Sequence, residues 1–335
     1  MDETARVNGS PVSRRQFLSH AGRYALGGTA VGGLSAVLRG SVAPQAVAQS
    51  RPSDESVVVQ VRSDAVFSGE LVRPDILGQM LATALWRLTG RERIGDAWHA
   101  ILRTDDIIGI KFNAVGAADL GTTPIFARTL ARSLIEAGWK AKDIVLIEGP
   151  DPVAAQLGTT PAPPTWTTEE IDFGSGRDQF AGVLKRITAL INVPFLKTHN
   201  IAGMTGCLKN LSHALVRRPG RYHGNRCSPY VADIVAAPPI RPKLRLHIVN
   251  ALRAVFDRGP EVRPTCVWPA ATILAAFDPV AADTVGLEIL NRQRQLQNLP
   301  PLGDDDRPVP YLYAAQRRGL GTATWDHIRV IKIRA

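Results

Sequence analysis

Seven short, almost unbroken apolar runs, separated by longer amphipathic stretches, constrain this chain more than any other feature. They lie at 57–61, 106–112, 144–147, 187–193, 244–249, 272–277 and 328–333, and Val, Ile and Leu dominate them. A half-solvated strand alternates polar and apolar residues, so runs that are apolar on both faces predict strands covered from two sides. Between the runs the apolar residues recur at helical spacing. One such segment opens on Pro74 and reaches about 88; another, ending near Gly138, opens with Thr123 as N-cap and Pro124 in its first turn. Strands alternating with helices predict an α/β fold: a mixed or mostly parallel central sheet covered by helices on both faces, with room for a small subdomain. Three proline-rich stretches, 149–164, 238–242 and 299–310, read as loops or lids.

The first 48 residues follow different rules. Ser13-Arg14-Arg15-Gln16-Phe17-Leu18 places a twin-arginine pair before a weakly apolar run at 24–38, which carries Gly27, Gly28, Gly32 and Gly33. That run is shorter than the roughly 20 apolar residues of a membrane span, and Ala46-Val47-Ala48 offers a small-residue cleavage site. Residues 1–48 therefore predict a signal for the twin-arginine (Tat) translocase, which exports folded proteins, and a periplasmic location. Residues 49–335 remain as a single α/β domain, close to the size of about 250–300 residues at which one core stops growing.

The formal charge is +10, and the predicted signal removes five arginines and two acids, so the remainder is basic without long basic runs. A dispersed charge favours small acidic ligands, or solubility alone, over nucleic acid, which calls for a clustered basic stripe with aromatics. Cys207, Cys227 and Cys266 include no C-x-x-C pair. Neither a four-cysteine zinc site nor an iron–sulfur cluster can be assembled from this chain alone. In an oxidising compartment the odd count permits one disulfide, with Cys207 and Cys227 the pair nearer in sequence, or three buried thiols.

The densest polar constellation runs from Lys197 to Cys227. Lys197-Thr198-His199 leaves a predicted strand, and Thr205-Gly206-Cys207-Leu208-Lys209-Asn210 turns into a helix. A helix start with glycine and threonine exposes backbone N–H groups, and beside Lys209 and Asn210 these suit a carboxylate or phosphate. The plainer alternative makes Thr205 a cap and Lys209 a solvated charge. Neither a Walker A loop nor a G-x-G-x-x-G motif is present, so a standard nucleotide site has no support. Arginine outnumbers lysine 32 to 8, yet lysine stands at Lys111, Lys197 and Lys209, inside polar strand-end or loop motifs. Lysine there points to a compact amine with a readily shifted pKa rather than to charge alone.

Lys111, Lys197 and His199 are thus the candidate catalytic groups, with Lys111 or His199 for acid–base work. Asn113, Thr205, Lys209, Asn210 and Asp283 are the ligand-binding candidates. Asn113 follows Lys111 at a strand end, where ligands of open α/β sheets collect. Asp278 precedes Pro279 and reads as an N-cap, whereas Asp283 lies inside the same helix and gains little from capping. His199, His213 and His223 crowd the same segment. His223, Cys227 and Asp233 are the ligand candidates for a divalent metal, with Asp257 and Asp283 as further carboxylates, although the spacing matches no zinc signature.

These blocks, taken in order, resemble the prokaryotic domain-of-unknown-function family 362 (DUF362), in its twin-arginine-exported branch. The resemblance rests on Lys111-Phe112-Asn113, Gly121-Thr122-Thr123-Pro124, Asn192-Val193-Pro194 with Lys197-Thr198-His199, Thr205-Gly206 with Lys209-Asn210, Tyr222-His223 with Cys227, and Asp278-Pro279-Val280-Ala281-Ala282-Asp283. Some members of that family are joined to ferredoxin-type domains, which implies a link with electron transfer and a redox partner. This chain carries no such domain. It also has Asn250 where the family commonly carries Asp, so either the position is structural or Asp257 substitutes.

Two functional classes follow. One is an exported enzyme that binds an anionic small molecule through Lys197, His199, Thr205, Lys209 and Asn210. The other is a non-catalytic periplasmic accessory protein that holds a ligand, a metal or a redox partner.

Overall fold

The computed structural model describes residues 55–304 and 308–335, so the twin-arginine pair, the apolar run after it and the cleavage motif lie outside the described residues. Every expected run becomes a strand. In chain order these are β1 (Ser56–Arg62), β2 (Ile108–Lys111), β3 (Ile144–Ile147), β4 (Thr160–Pro161), β5 (Ala189–Asn192) and β6 (Phe195–His199). They are followed by β7 (Gly203–Thr205), β8 (Leu244–Val255), β9 (Val267–Trp268), β10 (Thr272–Ala276) and β11 (Ile328–Arg334). The principal helices are α1 (Pro74–Thr89), α2 (Ile94–Ile101), α3 (Thr123–Glu136), α4 (Cys207–Leu211), α5 (Tyr230–Ala236), α6 (Pro279–Leu296) and α7 (Pro310–Arg317).

These eleven strands join one sheet, whose main path runs β11-β1-β10-β8-β5-β2-β3-β4, and four other short strands pair off in two separate ribbons. From β8 to β4 every neighbour is parallel, whereas β10 is antiparallel to both β1 and β8. The fold is therefore α/β with a mixed, mostly parallel central sheet.

Both faces are covered, as continuous apolar runs require. In β3, Ile144 and Leu146 turn to one layer while Val145 and Ile147 turn to the other. Leu77 and Met80 of α1, Trp98 of α2 and Phe126 of α3 cover the first face. Leu208 of α4, Ile234 of α5, Val285 of α6 and Tyr311 of α7 cover the second. Each fully buried Leu, Ile or Val is worth about 1.5–3 kcal/mol relative to exposure. Strands of four residues have little stability alone, so these layers hold them.

Three local details differ from expectation. The first proline-rich stretch is not a bare loop, because Asp151–Leu157 forms a short helix and Thr160–Pro161 adds β4. At α3 the cap is Thr122 rather than Thr123, and it makes no side-chain cap hydrogen bond. Its hydroxyl instead accepts from Asn250 Nδ2 at 3.0 Å, which ties the start of α3 to β8. Strand β8 runs on to Val255 instead of stopping near 249, because Ala251, Leu252, Ala254 and Val255 are all buried.

That extension positions the site. The first part of β8 pairs with β5, ending with His247 opposite Asn192. The chain then steps past Val193 and Pro194, and β6 takes up the pairing higher on the same strand, from Phe195 opposite Asn250 to Lys197 opposite Val255. Strands β6 and β7 thus form a hairpin beyond the carboxyl end of β5.

At α6, Asp278 is the expected N-cap. Its Oδ1 accepts from Val280 N at 2.8 Å and Ala281 N at 2.9 Å, while Oδ2 accepts from Ser56 Oγ at 2.6 Å and Thr322 N at 2.9 Å.

Candidate functional site

Polar side chains converge beyond the carboxyl ends of β2, β3 and β5, the edge at which parallel α/β sheets gather their ligands. Lys111, the last residue of β2, is fully buried, and its Nζ donates to Glu148 Oε2 at 2.7 Å, Phe112 O at 2.6 Å and Asn210 Oδ1 at 3.3 Å. Asn210 passes the connection on, its Nδ2 donating to Asn192 Oδ1 at 2.7 Å. Asn192 Nδ2 in turn donates to Cys207 O at 3.0 Å and contacts His247 Nδ1 at 3.1 Å. Burial pushes His247 down to about 3, so its ring is neutral. A continuous polar chain, Glu148–Lys111–Asn210–Asn192–His247, therefore runs beneath the site.

Glu148 follows β3 directly and holds a left-handed backbone with φ of 51°, a conformation that costs a side-chain-bearing residue free energy. Burial alone would raise its carboxyl. The Lys111 charge and hydrogen bond, with the nearby His213 ring, outweigh that and carry it down to about 2. His213 Nδ1 lies 3.6 Å from Glu148 Oε1.

The β6–β7 hairpin supplies the other side. Lys197 Nζ donates to Val115 O at 2.6 Å, and Thr205 stands opposite Lys197 in the ladder, on the same face. Burial lowers Lys197 to about 8, against the opposing pull of Glu261 and Glu148. Gly116, with φ of 77°, lies beside this amine: a Cβ there would fall 3.7 Å from Lys197 Nζ and only 2.5 Å from Val262 Cγ2. His199 Nδ1 accepts from Ile201 N at 3.1 Å and Ala202 N at 3.2 Å, which leaves the ring proton on Nε2. Burial, and then the Lys209, His223, Lys197 and His213 charges, push His199 down to about 3. It is a neutral ring that presents an N–H donor, stacked on His223 with centroids 5.5 Å apart.

Lys209, on α4, is 5% exposed, and its side-chain amine makes no hydrogen bond or ion pair among the described residues. Burial and then Lys111 lower its amine, with Cys227 opposing. Against the three lysines stand Glu148 and, acting on Lys197, the exposed Glu261 beyond ion-pair reach. The centre is electropositive.

Lys111, Lys197, His199, Lys209 and Asn210 are thus gathered at one strand-end centre, with Thr205 facing the same way as Lys197. Asn113 lies two residues beyond Lys111, with its Oδ1 buried and unpartnered among the described residues. Asp283 has a different role from the one its sequence position implies. It is 1% exposed, and its carboxylate accepts from Cys207 N at 2.5 Å and Leu208 N at 3.0 Å. The helix start at Thr205-Gly206 is therefore occupied by the protein's own anion, and Asp283 is not open to a ligand. Gly206 is required there, since a Cβ would lie 2.2 Å from Asp283 Oδ1.

His223, Cys227 and Asp233 do not form a ligand set. Asp233 pairs with Arg318 at 2.5 Å, and among the described residues no group of three or more His, Cys, Asp or Glu side chains is placed to hold a metal. Asp257, offered above as a further carboxylate, pairs with Arg294 at 2.8 Å. The disulfide between Cys207 and Cys227 is absent; all three cysteines are free and buried. Asn250 is structural, bonded to Thr122 and accepting from Leu252 N at 3.3 Å. Sequence reasoning missed Glu148, whose signal was an acid placed directly after an apolar strand, and it missed the buried His247 beneath the site.

Taken together, the mostly parallel sheet and the lysine-rich centre at its strand ends define an α/β protein with a polar strand-end site. Residues 108–288 match the family model described as "Domain of unknown function (DUF362)", and the chain belongs to that family. No curated protein matches it. Three chains of solved structures do, among them the crystal structure of a Thermotoga maritima protein from the Northeast Structural Genomics Consortium. That protein is 11% identical, with a TM-score of 0.35 over 70% of this chain and 61% of its own length.

Proposed function

We propose that this chain is an enzyme of the twin-arginine-exported branch of its family, acting in the periplasm on a small anionic molecule, a carboxylate or phosphate, held at the strand-end centre. One observation carries the reading: Lys197 is a fully buried amine whose only hydrogen bond goes to a carbonyl, with no carboxylate in ion-pair contact among the described residues. A buried cation without a counterion is costly, and an anionic ligand removes that cost. Thr205 and the His199 Nε2–H add uncharged donors beside it. The N-terminal Ser13-Arg14-Arg15-Gln16-Phe17-Leu18 supports export.

Calorimetric titration with inorganic phosphate and with oxalate tests the reading. Binding of either is expected, and Lys197→Ala is expected to weaken it about 10- to 150-fold, the worth of one hydrogen bond to a charged group, with the far-ultraviolet spectrum unchanged. Equal affinity in the variant would return Lys197 to a structural role. Recovery of a stoichiometric ligand that incubation leaves chemically unchanged would favour the accessory-protein class over an enzyme.

The pH dependence has a definite sign. Lys197 carries its proton below about 8 and loses it above. Anion affinity is expected to hold from neutrality to about pH 8 and then to fall as pH rises further. The same titration repeated across pH, with Lys197→Arg as a variant that keeps its charge, checks this; a fall of equal size in that variant would assign the dependence to another group.

A further inference from the structure

We propose that Lys209 is a nucleophilic amine that forms an imine with a carbonyl group on the bound anion, so that the ligand class is the oxo acids. The inference rests on the anion-binding reading of the same site and adds a chemical role for one residue.

The three lysines of the centre differ in what holds them. Lys111 is satisfied by Glu148, Phe112 O and Asn210, and Lys197 by Val115 O. The Lys209 amine has neither a hydrogen bond nor an ion pair among the described residues, although the residue is buried nearly as completely. Its amine is also absent from the unpartnered polar atoms that the fold seals off completely. A lysine kept only for charge would be expected to hold a counterion or a carbonyl. One that must attack a ligand has to keep its nitrogen free.

The surroundings favour the uncharged amine. Burial and the Lys111 ammonium both disfavour a proton on Lys209, which is how buried lysines become nucleophiles. Arginine cannot perform this chemistry, and lysine stands here in a chain with four arginines for every lysine. The other groups divide the remaining work. Lys197, protonated at neutral pH, takes the carboxylate of the ligand. His199 offers a neutral Nε2–H for the carbonyl oxygen.

The step balances without an oxidant or reductant. The Lys209 nitrogen lone pair forms a bond to the carbonyl carbon, the π electrons move to oxygen, and one N–H proton follows to give a carbinolamine. The nitrogen lone pair then forms C=N, the C–O bond breaks, and the hydroxyl leaves as water with the second N–H proton.

Incubation of the whole protein with pyruvate and sodium cyanoborohydride, followed by peptide mass mapping, tests this. The expected result is one reduced pyruvate adduct per chain, located on Lys209, lost in Lys209→Arg and reduced at least tenfold by competing oxalate. The wild-type map assigns the residue by itself, so a poorly folding variant leaves the test intact. An adduct on Lys197, or adducts shared evenly with the surface residues Lys140 and Lys142, would overturn the assignment. So would the absence of adduct from both pyruvate and glyoxylate in a protein that binds oxalate, an anion without a ketone or aldehyde. If oxalate, phosphate and pyruvate all fail to bind, the anion-binding reading falls first and takes the imine with it.

Discussion

Truncating Asp283 to alanine is expected to lower the free energy of unfolding by about 3–5 kcal/mol, because two buried backbone donors, Cys207 N and Leu208 N, lose the carboxylate that accepts from both. Asp283→Asn keeps one acceptor oxygen and should lose about 1–2 kcal/mol. Urea midpoints with an unchanged slope measure both losses. Burial pushes the folded carboxyl up to about 7 from an ordinary value of 3.8. The folded state therefore holds this proton more tightly than the unfolded chain, so Asp283's contribution is greatest below about pH 3.8, declines as pH rises to about 7, and is level above. Asp283→Asn should remove that slope. A variant as stable as the parent would mean that α4 needs no cap.

Removing Glu148 should cost as much, by another route. Lys111 is fully buried, and Glu148 is the one carboxylate within its ion-pair reach among the described residues. Glu148→Ala strands that cation, at a cost of about 3–5 kcal/mol, whereas the double variant with Lys111→Met should regain most of the loss, since a buried pair replaced by apolar groups is often neutral. The double-mutant cycle separates the pair from its surroundings. The acid limb carries the opposite sign to Asp283. With the folded carboxyl at about 2 and an ordinary value of 4.5, Glu148 stabilises fully above 4.5 and its contribution is lost as pH falls through about 2. An acid-unfolding curve unchanged by the substitution would contradict this.

The fold was legible because its strands are buried on both faces: 144–147 reads as one apolar block since its alternate residues enter two different layers. The lysines of the site were legible as polar residues at the ends of such blocks. Asp283 was misread because the groups it serves lie about 75 residues earlier, and a carboxylate within one helix gives no sign that it caps another. Glu148 was passed over for a related reason. An acid ahead of Gly149 and Pro150 looks like the opening of a turn, and only the parallel pairing of β2 with β3 sets it beside Lys111. The extension of β8 was hidden by Asn250 and Arg253, polar residues whose side chains are taken up by Thr122 and by Leu120 O.

The place of β1 in the sheet has a consequence for biosynthesis. Although it is the first strand among the described residues, it is laid between β10 and β11, whose residues come more than two hundred positions later. Contacts that distant must wait for the chain that supplies them, and closing so large a loop is slow. A nascent chain still lacking residues 328–334 has no partner for one whole side of β1, and β1 occupies an interior position in the sheet. Completion of this sheet therefore waits on the synthesis of residues 328–334, however early β1 itself is made.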